Sequence, residues 1–148
     1  MQKSLKTLWA NDRGINLKGE FSFVTVDDSI NFDEMSKDIN LVPSRVIRKG
    51  EMVGYTKQKA PFDVWSFSIK FDKGEDISST LEQLLQLLIS RSEAIKALSK
   101  QYKQVRIDLY LRSEYGQLGI EFTKESFDKL AQLGIGMDIH ILSFGKAD

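Results

Sequence analysis

The chain contains no cysteine among its 148 residues. That excludes disulfides, thiolate nucleophiles and the cysteine-containing zinc sites, so stability has to come from packing. A single histidine, His140, rules out any metal site built on a histidine pair and leaves a serine nucleophile only one candidate base. Two prolines and ten glycines are too few for a low-complexity chain. Neither sign of charge is in excess. The 21 basic and 21 acidic side chains cancel, so no global field draws the protein to nucleic acid or to an anionic membrane. No apolar run approaches the roughly 20 residues that span a bilayer, and Met1 to Leu17 lack the continuous apolar stretch of a secretory signal. A cytoplasmic location is the expectation, with no nucleic-acid and no membrane partner.

Complete catalytic signatures are also missing. There is no Walker loop, Gly134 and Gly136 do not make a dinucleotide fingerprint, and no Gly-x-Ser-x-Gly elbow is present, so no cofactor is implied. EF-hand and Asp-rich loop spacings are absent as well, and no metal is expected.

What the chain does have is the length of one ordinary domain, enough to bury roughly two thirds of its unfolded surface. Residues 1–20, with the turn cluster Asn11-Asp12-Arg13-Gly14, read as an N-terminal arm or short hairpin, and residues 21–148 as a single globular domain. Phe21, Phe23 and Thr25 alternate against Ser22, Val24 and Val26 as a strand does. Asn31 with Glu34 makes a capping box, Ile30 with Met35 a staple, and the short helix ends before Pro43 with Asn40 in the left-handed position. Ser44 to Ile47 is extended, Lys49-Gly50 turns, and Trp65, Phe67, Ile69 and Phe71 alternate in a strand.

Ser79 with Glu82 suggests a second capping box. Behind it, Leu81, Leu84, Leu85, Leu88, Ile95, Leu98 and Tyr102 predict one long helix, tolerant of Ser92 in its stripe. Strands follow at Val105 to Leu111 and at Leu118, Ile120 and Phe122, then a helix from Thr123 to Gly134 and a final strand through Met137, Ile139 and Ile141. Strands apolar on one face only belong to an antiparallel or mixed sheet covered on one side. The fold class is therefore α+β: about five to six strands with helices packed on one face, in the ferredoxin-like β-α-β-β-α-β order extended by β-α-β.

Two clusters could carry function. Arg45, Arg48, Lys49 and Glu51 surround a glycine turn and are answered by Trp65; guanidinium forks there suit a small anionic ligand. The plain alternative is local pairing of Arg48 with Glu51 or Asp63, with Trp65 packed beneath an arginine stem. On the polar sheet face, Arg106, Asp108, Tyr110, Arg112, Asp138 and His140 gather if their strands are adjacent, with Glu121 nearby. His140 beside Asp108 or Asp138 could be an oriented acid or base of a hydrolase-type enzyme; otherwise the face carries ordinary cross-strand ion pairs.

Phe21-Ser-Phe23, Ile39-Asn40-Leu41, Pro43-Ser44, Arg48-Lys49-Gly50-Glu51 and Val64-Trp65-Ser66 stand in this order with the leucine helix, Ile107 to Tyr110, and Leu130 to Gly134 leading into Met137-Asp138-Ile139. In these pieces the chain, from Phe21 to Ser143, resembles the small bacterial domain-of-unknown-function family numbered 4279. The resemblance implies a stand-alone domain without an assigned activity. With no complete catalytic apparatus and a half-covered sheet, the expected role is non-catalytic: binding a protein partner, immunity-type in one form, or pairing as a homodimer. A binder of a small anionic ligand is the alternative, and an enzyme the third reading.

Overall fold

The computed structural model of the protein describes residues 17–54, 57–115 and 118–146. Most of the expected N-terminal arm lies outside them, and Lys18 to Glu20 already belong to the first strand, β1 (Lys18–Asp27). Its Phe21 and Phe23 are fully buried, as their alternation requires. Helix α1 (Phe32–Ile39) is fixed at both ends by asparagines: the Asn31 side chain accepts the Glu34 amide at 3.1 Å, and Asn40 closes the helix at φ 56°, ψ 48°. Then come β2 (Arg45–Ile47), a small hairpin of β3 (Met52–Val53) and β4 (Gln58–Lys59), and β5 (Asp63–Phe71). Two helices, α2 (Ile77–Ile89) and α3 (Ser92–Gln101), lead to β6 (Gln104–Tyr115), and α4 (Lys124–Leu133) leads to β7 (Gly136–Lys146).

The main sheet has the order β2-β5-β1-β6-β7. Every pair is antiparallel except β6 with β7. The chain thus passes from β1 through α1 to β2 with β5 between them, and from β5 through α2 and α3 to β6 with β1 between them. Those two split crossovers make the ferredoxin-like unit. Helix α4 then adds β7 by a direct parallel crossover.

Register assigns the faces. Phe21 stands beside Ile69 and Leu109, and Phe23 beside Phe67 and Ile107, so these odd positions line the side that meets Leu81, Leu84, Leu85, Leu88 and Ile95. The even positions, such as Ser22 beside Ser68 and Asp108, point away from the helices.

Three expectations are corrected. The long helix is two helices, because Ser90 ends α2 and Arg91, at φ −118° and ψ 20°, starts α3. The Ser90 hydroxyl bonds back to the Leu87 carbonyl at 2.8 Å, and the apolar stripe continues because both helices press on one core. Asp76, not Ser79, caps α2 by accepting the Ser78 amide, while Glu82 bonds to Ser126 and Lys129 of α4. Finally, Leu118, Ile120 and Phe122 pack half-buried against the core as an irregular segment, so the extension is α-β and Glu121 is not on the sheet.

Arg91 holds this helical layer together. Its guanidinium donates to the carbonyls of Ile39, Asn40 and Leu87, at 2.9, 3.2 and 2.9 Å, which are the orphan acceptors at the ends of α1 and α2. Arg91→Ala is expected to lower stability by about 1.5–3 kcal/mol, the range for hydrogen bonds to a charged group. Urea denaturation measures it, and Arg91→Lys, which lacks the fork, recovers only part of the loss.

Candidate functional site

Parallel pairing of β6 with β7 sets Asp108 beside Asp138, Tyr110 beside His140 and Arg112 beside Leu142 on the face away from the helices. Asp108 is the buried centre, 1% exposed. Its Oδ1 accepts from Arg106 Nε at 2.8 Å, and its Oδ2 from Arg106 Nη2 and the Tyr110 hydroxyl, both at 3.2 Å. The same Nε lies 3.3 Å from Asp138 Oδ2, and Arg106 Nη1 donates to the Gln104 side chain. Alone, burial would lower the Arg106 pKa; the hydrogen bond and charge of Asp108, with Asp138, hold it above its ordinary value. Burial first, then the Asp108 charge, raises the Tyr110 phenol, which therefore stays a neutral donor.

His140 and Tyr110 stack with ring centroids 4.7 Å apart and 13° between planes. The Arg112 guanidinium lies 5.7 Å over the Phe144 ring. Arginine, tyrosine and histidine are thus each set against a neighbouring ring or charge.

The chemistry open to this cluster follows from the same distances. His140 Nε2 is 3.8 Å from Asp108 Oδ1, near enough for charge attraction but beyond hydrogen-bond reach, and both oxygens of Asp108 already have donors. Donor atoms of Asp108, Asp138 and His140 lie within 4.8 Å of one another, a separation compatible with one metal ion. The Arg106 guanidinium, however, already bridges the two carboxylates, so a metal would have to displace it.

The second cluster converges on Asp63, which is 4% exposed. This carboxylate accepts the Ile30 amide at 2.9 Å, the Lys49 amide at 2.7 Å and Arg48 Nη1 at 3.2 Å. Arg48 also donates to the Ile30 carbonyl and lies 4.1 Å over the Phe32 ring, and its amide donates to Glu51. Lys49 Nζ is 3.8 Å from Asp28. Trp65 is fully buried with its indole N–H on Ser36 at 3.0 Å, so the ring beneath Arg48 is Phe32 rather than Trp65. Arg45 stands apart on β2 opposite Ser66, and among the described residues it is the one charged side chain lining a cavity of about 350 Å³ with Ile47, Val53, Phe62 and Val64. A larger, shallow groove of about 940 Å³ runs along α2 past Ser79, Glu82 and Gln86, away from both clusters.

Sequence reasoning missed the central role of Asp63 and the exposed apolar residues Leu142 and Phe144, because β7 runs past Ile141 to Lys146. The signal was available: apolar residues occupy both parities at positions 139, 141, 142 and 144, as in a strand exposed on both faces.

The model of a family described only as a domain of unknown function, DUF4279, matches residues 16–144. The chain belongs to the DUF4279 family. Its match runs from before β1 to near the end of β7, so both clusters fall within the DUF4279 domain. No curated protein and no solved structure matches the chain. No described helix of this DUF4279 domain is long and apolar enough to cross a membrane.

Proposed function

We propose that this DUF4279 chain is a non-catalytic protein-interaction domain that binds its partner through the open face of β6 and β7. One observation carries the reading: Tyr110, Arg112 and His140 are exposed there on paired strands, Tyr110 bonded to buried Asp108, His140 stacked on Tyr110 and Arg112 set over Phe144. Tyrosine and arginine are the residue types that concentrate binding energy at interfaces, and side chains fixed in advance lose less rotamer entropy on association. An immunity-type role, in which the partner is a toxic enzyme held inactive, is one form of this reading. The anionic-ligand alternative at Arg45, Arg48 and Lys49 has less support, since Arg48 is drawn to Asp63, Lys49 to Asp28, and Trp65 is buried. An enzyme reading would need a base that His140 supplies without a hydrogen-bonded carboxylate.

The test is native affinity capture from cells and from neighbouring gene products, using the unaltered chain and a Tyr110→Ala, Arg112→Ala double variant. The expected result is one partner in near-stoichiometric amount, with recovery falling at least about tenfold for the double variant. Equal recovery by both proteins would place the contact elsewhere. A thermal-shift screen of nucleotides and phosphorylated metabolites is expected to show no stabilisation.

A further inference from the structure

Among the described residues β7 forms one edge of the sheet, and four of its eleven residues are large apolar side chains about half exposed: Ile139 51%, Ile141 54%, Leu142 52% and Phe144 55%. They occupy both faces. Ile139 and Ile141 stand beside Leu109 and Leu111 on the helix side, whereas Leu142 stands beside Arg112 on the open side with Phe144 under the Arg112 guanidinium. Natural sheets blunt their edges with short strands, charges or proline. The opposite edge, β2, follows that rule with three residues, one of them Arg45. By contrast β7 is long, has no proline, carries charge only at Asp138 and Lys146 near its ends, and departs from regular pairing with β6 only beyond Ser143.

We propose that β7 is a self-association edge, along which two copies of this chain pair antiparallel about a two-fold axis and join their five-stranded sheets into one. A two-fold axis makes the contact isologous, so one strand complements itself, and it needs no loop rearrangement. With the axis at Leu142, that residue meets its own copy and His140 meets Phe144 on the open face, both favourable cross-strand pairs. Both faces of the edge gain cover at once, which a partner docking on one face could not provide.

The areas set the strength. Four side chains of roughly 150–200 Å² each, about half exposed, offer on the order of 350 Å² of apolar surface per copy, against about 800 Å² per partner in a standard interface. The strand backbones add to this, and the dimer is therefore reversible on dilution. It rests on the edge, not on the open-face partner, and either can fail alone.

The cysteine-free sequence makes the test clean. Sedimentation equilibrium of the full chain is expected to show a concentration-dependent monomer–dimer balance, weakened at least about tenfold by Ile141→Lys while the far-ultraviolet circular dichroism of the dilute monomer stays unchanged. Under mild oxidation, Leu142→Cys should form a disulfide-linked dimer far faster than Val42→Cys, whose site is 82% exposed and remote from the edge. A monomer up to about 1 mM, a scale at which even weak contacts register, would overturn the proposal. So would a dimer indifferent to Ile141→Lys, or equal cross-linking of the two cysteine variants.

Discussion

Asp63→Ala is expected to remove about 3–5 kcal/mol of folding free energy, a large share of the roughly 5–15 kcal/mol that holds a domain of this size folded. The estimate rests on what the carboxylate serves: the amides of Ile30 and Lys49, which lose their acceptor, and the Arg48 guanidinium. Each stranded amide costs about 1–3 kcal/mol, whereas the Arg48 ion pair adds little because that side chain is 56% exposed and screened. Asp63→Asn keeps one acceptor oxygen and should lose roughly half as much. Urea denaturation of the three proteins gives the ranking; an alanine variant within about 0.5 kcal/mol of the parent would sink this account of the segment.

The same carboxylate sets an acid limit. Burial by itself would raise its pKa, but the Lys49 and Ile30 amides and the Arg48 guanidinium outweigh burial and leave it below its ordinary value. In the window between the unfolded and folded pKa values the unfolded state therefore binds more protons. The stability due to Asp63 is complete above the unfolded value, about 3.9, and disappears as pH falls through the lower, folded one. Asp63→Ala should flatten the pH dependence of stability in that acidic range.

Gly19→Ala is the second large effect. A Cβ added to Gly19 would fall well inside the carbonyl oxygen of Tyr110 and 3.0 Å from Phe71 Cζ. The oxygen belongs to the backbone of β6, so relief requires separating the two central strands that pair Gly19 with Leu111. Overpacking against side chains costs about 1–3 kcal/mol, and displacement of a strand should exceed that range. Gly136→Ala is the control, since nothing lies within 4 Å of its added Cβ. Equal melting temperatures for the two alanine variants would contradict the close approach of β1 and β6.

Gly19 and Asp63 mark the limit of what the sequence makes legible. Helix ends carried by local chemistry were legible, because Asn31, Asn40, Thr123 and Gly134 act on amides and carbonyls a few residues away. The alternations of β1, β5 and β6 likewise separated core face from open face, and the open-face set of Arg106, Asp108 and Tyr110 followed from them. The break at Ser90 and Arg91 was not legible, since its stabilising bonds reach Ile39 and Asn40 from a distant part of the chain. Leu118 to Phe122 alternate because one side packs on the core, a pattern that does not require a strand. Gly19 and Asp63 likewise act through Tyr110, Ile30 and Lys49, contacts that only the sheet order and loop closure create.

The central claim, that binding is concentrated on the open face of β6 and β7, is tested most directly by an alanine scan of the captured partner's affinity, read by calorimetry. Losses of at least about 1.4 kcal/mol, or tenfold, are predicted at Tyr110 and Arg112, with Arg45 and Lys49 near neutral. Near-neutral values at Tyr110 and Arg112, with the large losses at Arg45 and Lys49, would contradict it.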